Sequence, residues 1–386
     1  MSFSLTSRFL KHLALFLVLT TSLLSCSGPI KQAYYYIDAQ KGSDSNPGSQ
    51  DKPWKSIQKA ADRLPAGATA FVQAGTYPEL VLLTKSKLSF IAVGQVYMNG
   101  FFVEGDNNLV RGFIISNPDS DFGLRVSGDN NVFEKNEISN TKQDGVWFFG
   151  AGNRFTSNYI HDILDRSLIT DDPHVDCFQT WGPAENITIE KNLCDHTSTT
   201  GSNQIVQISN ENSPVRNIVF KNNVFIMHSP GYSPMNFHRQ DGQDVISEMY
   251  VINNTIVHAN GGGKSGIRFS NITGAYAFNN LFVDYGYGEA DIPYILIEGQ
   301  TGYQLSNNAL YKSDHIRPNS GMYAQDTWLD ELRVTDLPGH DFHPQSVSPI
   351  INAGMDASQW ILDDFDGIKR PQGNAFDIGA FEFVGK

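Results

Sequence analysis

The densest run of chemistry-bearing side chains is Asp171-Asp-Pro-His-Val-Asp176. Asp172, His174 and Asp176 alternate, so an extended backbone would turn them to one side. Three chemistries use such a set. A carboxylate beside His174 orients the imidazole and raises its basicity, which makes a proton-abstracting base. Asp171, Asp172 and Asp176 supply the oxygen ligands that a Ca²⁺ ion takes. Two of these carboxylates, at a suitable separation, are the acid and the base or nucleophile of glycoside hydrolysis. A polar turn stitched by aspartate side chains to its own backbone would need no ligand.

Further partners follow in the chain. Asn236-Phe-His-Arg-Gln-Asp241 places His238, Arg239 and Asp241 together, and Lys264 and Arg268 come some 25 residues later. Removing a proton beside a sugar carboxylate requires a cation to neutralise that carboxylate, a base, and an acid for the leaving oxygen. His174 is the expected base, Arg239 or Arg268 the neutraliser, and Tyr232 a candidate acid. Asp172, Asp176 and His238 complete the catalytic candidates. Other signals are weaker. Asp363-Asp-Phe-Asp366 could bind Ca²⁺ but lacks EF-hand spacing and reads equally as a terminal turn. Gly261-Gly-Gly263 has no phosphate-binding pattern around it. Cys177 and Cys194 are either a disulfide or two buried thiols.

These residues are carried by a repeat. From the second of eight similar segments onward, one asparagine stands between two short apolar stretches: Asn136, Asn158, Asn192, Asn223, Asn254, Asn280 and Asn308. The spacings are 22, 34, 31, 31, 26 and 28 residues. Period-two alternation means strands, and strands repeated in a fixed order every coil predict an all-β, right-handed parallel β-helix. Stacked coils about 4.8 Å apart would let each corner asparagine bond its neighbours above and below. Between the asparagine segments runs a second strand pattern, as in Gly145-Val-Trp-Phe148. Aligning these strands predicts an outward row of Arg125, Trp147, Gln179, Gln207, Asn236 and Arg268, and a second row of Ser127, Phe149, Trp181, Ser209, His238 and Ser270. Rings beside amides and arginines suit a sugar chain: rings stack on apolar sugar faces and polar groups bind hydroxyls. Arg125, Trp147, Gln179, Trp181, Gln207, Asn236, Arg268 and Lys264 are the expected substrate-binding residues. The coil between Asn158 and Asn192 is the longest, so its extra residues, the aspartate cluster among them, form a loop beside this groove.

Composition narrows the partners. Hydrophobic residues are 40% and charged residues 18%, which excludes a disordered chain. The net charge of −13 argues against a nucleic-acid partner gripped through phosphates. Trp54 to Leu64 has helical spacing and ends at Pro65, so a short helix is expected to cap the N-terminal end. At the start of the chain, Arg8 and Lys11 precede an apolar run from Leu13 to Leu24, shorter than a bilayer span, and Cys26 follows almost at once. This resembles a bacterial lipoprotein signal with Cys26 as the lipidated residue. The expected layout is a signal over 1–25, a tether over 26–33, an N-terminal cap over 34–66, the β-helix over 67–313 and a closing segment over 314–386. A monomer lipid-anchored in the cell envelope, at the outer membrane or in the periplasm, is expected.

Motifs at both ends carry a family likeness. Tyr35-Tyr-Ile-Asp38, Gly42-Ser-Asp44, Asn46-Pro-Gly48, Pro53-Trp54 and Gly75-Thr-Tyr77 resemble the N-terminal signature of secreted bacterial parallel β-helix proteins of the pectate-lyase-like superfamily. Ser348-Pro-Ile-Ile-Asn-Ala-Gly354, Asp366-Gly-Ile-Lys-Arg-Pro371 and Asp377-Ile-Gly-Ala-Phe-Glu382 resemble its C-terminal ending. The superfamily includes lyases, glycoside hydrolases, epimerases and adhesins, so the likeness implies a fold and leaves the reaction open. Asp172-Pro-His174 is similar to the Asp-Pro-His motif of alginate C5-epimerases, which implies roles for both side chains at C5 of a uronic acid. The first expectation is β-elimination on a uronic-acid polysaccharide such as alginate or pectin. The alternatives are C5-epimerisation, glycoside hydrolysis by paired aspartates, and non-catalytic glycan binding. No cofactor is required by the motifs, with Ca²⁺ left open.

Overall fold

The computed structural model describes residues 33–163, 175–197, 204–211, 213–228, 233–239, 245–259, 265–285, 295–299, 301–312 and 325–385. The chain winds as a right-handed parallel β-helix, with one short strand on each of three faces per coil. The groove face is built from Phe122–Val126, Asp144–Phe148, Phe178–Thr180, Val206–Asn210, Met235–Arg239, Ile267–Ser270 and Ile295–Glu298, all parallel and in register. The second face includes Val132–Glu134, Arg154–Thr156, Ala184–Glu190 and Val215–Lys221. The third includes Glu137–Ser139, Tyr159–His161, Leu193–Asp195 and Val224–Met227. The sheet extends beyond the repeat at both ends, where Tyr34–Ile37 pairs with Thr69–Leu83 and Thr327–Leu329 pairs with Ala309–Tyr311.

Alternation decides which side chains meet inside. On the groove face Leu124, Val146, Phe178, Val206, Met235 and Ile267 are buried and stack one over the next. Phe133, Phe155, Ile189 and Phe220 do the same on the second face. Each such side chain contributes roughly 1.5–3 kcal/mol by leaving water, so a one-residue slip in any coil, which would turn its core outward, is strongly disfavoured.

The corner between the second and third faces is the expected asparagine ladder. Asn136, Asn158, Asn192, Asn223, Asn254 and Asn280 each donate through Nδ2 to Oδ1 of the next asparagine, at 2.9–3.1 Å. Each receiving Oδ1 also accepts the backbone N–H of the donor residue. The ladder ends on an acceptor of a different kind, because Asn308 donates through Nδ2 and its backbone N–H to Asp326 Oδ1. At the other end Phe113 N–H takes up the Oδ1 of Asn136.

The N-terminal helix is Ile57–Arg63, with Ser56 Oγ accepting from Lys59 N–H as its N-cap. Trp54, expected as its first turn, is extended instead: its N–H bonds Tyr36 O and its C=O accepts from Asp38 N–H. Competition from the Tyr34–Ile37 strand for Trp54 backbone groups delays the helix by three residues.

The C-terminal residues 325–385 lie along the flank of the coils. The outward apolar side chains Val224, Ile226, Val257, Leu281 and Val283 of the third face are covered by Leu329, Phe342, Ile350, Ile378 and Phe381. A second set of asparagines ties this segment down. Asn222 donates to Asp363 O, Asn253 to Asp377 O and Asn279 to Met355 O. All three have φ between 53° and 59°, a left-handed conformation that asparagine tolerates better than most residues. The paired asparagines of the later repeats therefore do two jobs: one builds the inner ladder and the other holds the outer segment.

The C-terminal motif is a buried clasp. Arg370 donates to Asp377 O and Gly379 O at 2.9 and 2.8 Å and pairs with Glu382 at 3.2 Å, with both side chains out of solvent. The Asp363–Asp366 stretch is a turn. Asp364 accepts the N–H groups of Asp366, Ile368 and Glu382, while Asp363 pairs with Lys191 and Asp366 with His343. These carboxylates are engaged by the protein, in keeping with the terminal-turn reading of this stretch.

Candidate functional site

The groove face delivers the outward row in the expected register. Arg125 lies opposite Trp147, then follow Gln179, Gln207, Asn236 and Arg268. Their surroundings divide the groove in two. At the N-terminal half, rings from neighbouring coils pack together. Trp147 lies 5.1 Å from Phe122 and 5.3 Å from Trp181, and Trp181 lies 4.8 Å from Phe149 (ring centroids). Trp147 and Trp181 are therefore half-buried in a shared platform, and Phe149 is buried. Strands about 4.8 Å apart bring adjacent rings into contact, so the aromatics are not separate exposed rings. The Arg125 guanidinium sits over the Phe102 ring at 4.7 Å and near Trp147 at 5.8 Å.

The other half is polar. Asn236 Nδ2 donates to Gln207 Oε1 at 2.8 Å, and Gln179 and Asn236 are buried. His238 is half-buried and in register with Ser209 and Ser270, both buried, while Arg239 pairs with Asn210 in register. Arg268 pairs with Glu298 through Nε and a terminal nitrogen, at 2.9 and 2.8 Å. A guanidinium already answered by a carboxylate is poorly placed to neutralise another. Glu298 arrives beside Arg268 in the next coil, so any sugar carboxylate there would have to compete with it.

A residue that positions this face and that the sequence reading missed is Asp144. Its side chain is wholly buried; Oδ1 accepts the backbone N–H of Asp176 at 2.7 Å and Oδ2 accepts Trp147 Nε1–H at 2.5 Å. This carboxylate fixes the indole that faces the groove and the chain entering the next strand. Its spacing to Trp147, three residues along a strand, is no motif, so only the fold reveals the link.

Asp176 is buried at this junction. Asp171, Asp172, His174, Tyr232, Asp241 and Lys264 lie outside the described residues, as does Cys26. His161 and Asp162, from the start of the long coil, end the Tyr159–His161 strand on the third face, away from the groove. There His161 Nδ1 meets Asp162 at 2.7 Å and its ring stacks on Tyr159 at 4.0 Å. Burial, and then the charges of Asp195, Asp162 and Glu137, raise the Tyr159 pKa.

Cys177 and Cys194 form a disulfide with Cα atoms 6.3 Å apart, in place of free thiols. Buried His196 puts Nε2 3.3 Å from Cys177 Sγ, and burial lowers its pKa to about 4, so the ring is neutral. Among the described residues this trio is the one group of three metal-ligating side chains close enough to share an ion. With the sulfurs bonded to each other, thiolate ligation is closed to it.

No protein-family model matches the chain, and no curated protein matches it. Solved structures do. The chain is similar to the pectate lyase Pel9A at 16% identity, over 92% of this chain and 97% of that one, with a TM-score of 0.57. It is also similar to the alginate lyase AlyF-OU02 in complex with G6, at 13% identity over 74% of this chain and 62% of that one, with a TM-score of 0.49. Taken with the three-faced coils and the asparagine ladder, the first likeness identifies the fold of this chain as a right-handed parallel β-helix.

Proposed function

We propose that this chain binds a polysaccharide along the groove face and cleaves a uronic-acid polymer by β-elimination. The observation that carries the reading is the six-residue row from Arg125 to Arg268, held in register over roughly 24 Å at about 4.8 Å per strand. It combines a ring platform, amides and cations on one face of the coils. In the proposed reaction His174 takes the C5 proton, the C–H electrons form the C4–C5 double bond, and the C4–O bond breaks as an acid protonates the departing oxygen. Arg239 neutralises the sugar carboxylate. Asp172 is assigned to orient His174, and Asp176 and His238 are the further catalytic candidates. The protein is proposed to act in the cell envelope, tethered through lipidated Cys26; no helix among the described residues is long and apolar enough to cross a membrane.

Incubation of residues 27–386 with a panel of uronate and neutral polysaccharides tests this, following ultraviolet absorbance and reducing ends together. Absorbance on a uronate, abolished in His174→Ala, is the expected result. A chelator arm reports on Ca²⁺ at Asp171, Asp172 and Asp176. The ring platform of Trp147 and Trp181 favours a second reading, hydrolysis of a neutral glycan by the aspartates. Reducing ends without absorbance would select it and reject the elimination. Silence on every substrate by the folded protein would reject both cleavage reactions and leave C5-epimerisation or binding alone.

A further inference from the structure

Four arginines on the outside of this β-helix are answered by glutamates in the adjacent coil. Arg111 pairs with Glu134, Arg154 with Glu190, Arg216 with Glu185 and Arg268 with Glu298. Arg125 differs. The residue in register with it in the next coil is Trp147, and on its other side it is Phe102. It makes no hydrogen bond or ion pair among the described residues, and its Nε–H is buried without an acceptor. In a chain with 41 acidic and 28 basic residues, a half-buried cation seated on rings, with no carboxylate paired to it among the described residues, is suited to an anionic ligand.

The seat is rigid. Phe102, Phe122 and Trp147 pack edge-on or tilted, and Asp144 holds the indole through Nε1. Aromatic contact takes up the ring-facing side of a guanidinium and leaves N–H edges for a planar, two-oxygen partner. The neighbouring indole offers an apolar surface to a sugar ring. Resting on the glycan-groove reading above, we propose that Arg125 and Trp147 form a subsite for one carboxylated sugar of the polymer. It lies two strands, about 10 Å, from the Phe178–Thr180 strand that follows the Asp171–Asp176 cluster. Arg125 therefore reads an acidic sugar that does not itself react, and the N-terminal half of the groove sets the preference for a polyuronate.

Affinity electrophoresis of the mature chain in gels containing polygalacturonate or alginate, each beside its carboxyl-reduced counterpart, tests the assignment. His174→Ala is the background, so that the polymer stays intact. Arg125→Gln should weaken retardation by a polyuronate about 10- to 100-fold, as expected for losing a charge-assisted pair, and leave retardation by its carboxyl-reduced form unchanged. Arg125→Lys should recover part of the loss, and Trp147→Ala should weaken both. Equal losses on both polymers in Arg125→Gln, or no loss on either, would overturn the subsite while leaving glycan binding intact. Retardation only by the neutral forms would overturn it as well. A folded protein retarded by none of the polymers would remove the groove reading and the subsite with it.

Discussion

Asn223 occupies the middle of the ladder and makes four bonds with it. Its Oδ1 accepts the N–H and Nδ2–H of Asn192, and its Nδ2 donates to Ile189 O and Asn254 Oδ1. Asn223→Ala would leave buried donors and acceptors in two coils without partners, at roughly 1–3 kcal/mol each where the corner cannot relax. A loss of about 2–3 kcal/mol in urea unfolding is expected, against about 1 kcal/mol for Asn186→Ala, which loses only a surface asparagine partner and the asparagine's tolerance of a left-handed φ of 56°. Equal, small effects at both positions would mean that the ladder is ornament. The same logic separates Asp326 from the asparagines it follows. A carboxylate that only accepts is tolerated at the last rung, which is half-exposed. In the buried middle, Asn223→Asp would set a charge against Asn254 Oδ1, and it should destabilise more than Asn223→Ala.

Strands and turns are held by residues that read as ordinary until the coils stack. The C-terminal ending looks like a family signature in the sequence, and its physical content is a clasp around Arg370. Burial presses the Arg370 pKa down and raises those of Glu382 and Asp377, with the opposite charges acting against it in all three. Removing one member of such a pair leaves the other buried and unanswered. Arg370→Met should cost about 3–5 kcal/mol and expose residues 325–385 to limited proteolysis before the coils unfold. Simultaneous cleavage throughout the chain would show that the flank and the coils unfold as one unit. The groove row was legible at this scale, since two-residue alternation and the Gly-initiated strand pattern fixed which side chains point out. What the pattern could not supply was the tilt and burial of those side chains: Gln179 and Asn236 are covered and Phe149 is packed under Trp181.

Across the whole molecule, the flank segment is also fastened by charge. His343 Nδ1 meets Asp341 at 2.5 Å and Nε2 meets Asp366 at 2.6 Å, joining the Asp341–Pro344 strand to the Asp363–Asp366 turn. Burial lowers the imidazole pKa, but the bonds and charges of Asp366 and Asp341 outweigh it and hold the value above 6.5. Asp341 stands below 3.8: burial acts to raise it, and the bonds to His343 with its charge prevail. The histidine contribution is therefore complete below pH 6.5 and fades as pH rises through the raised folded value. That of Asp341 is present above 3.8 and fades as pH falls through its lowered one. His343 is 44% exposed, so solvent screening limits the clasp to under about 1 kcal/mol. Thermal melts should show His343→Gln less stable than the parent at pH 5–6 and converging with it by pH 9. A constant gap across that range would assign the loss to the Phe381 ring contact, 4.1 Å away, in place of the charge.

The repeat by itself determined the parallel β-helix, the asparagine corner and the order of the outward row, because stacked coils of one pattern have a single register that keeps every apolar side chain inside. The tertiary structure alone decided which of those outward groups are available. Glu298 beside Arg268, and Phe102 and Trp147 on either side of Arg125, are relations between coils. Loops of unequal length separate the coils, so sequence distance carries no trace of who meets whom. The first asparagine of each late pair shows the same division. Its type is plain in the chain, but its task appears only when residues 325–385 return along the flank and present carbonyls to it.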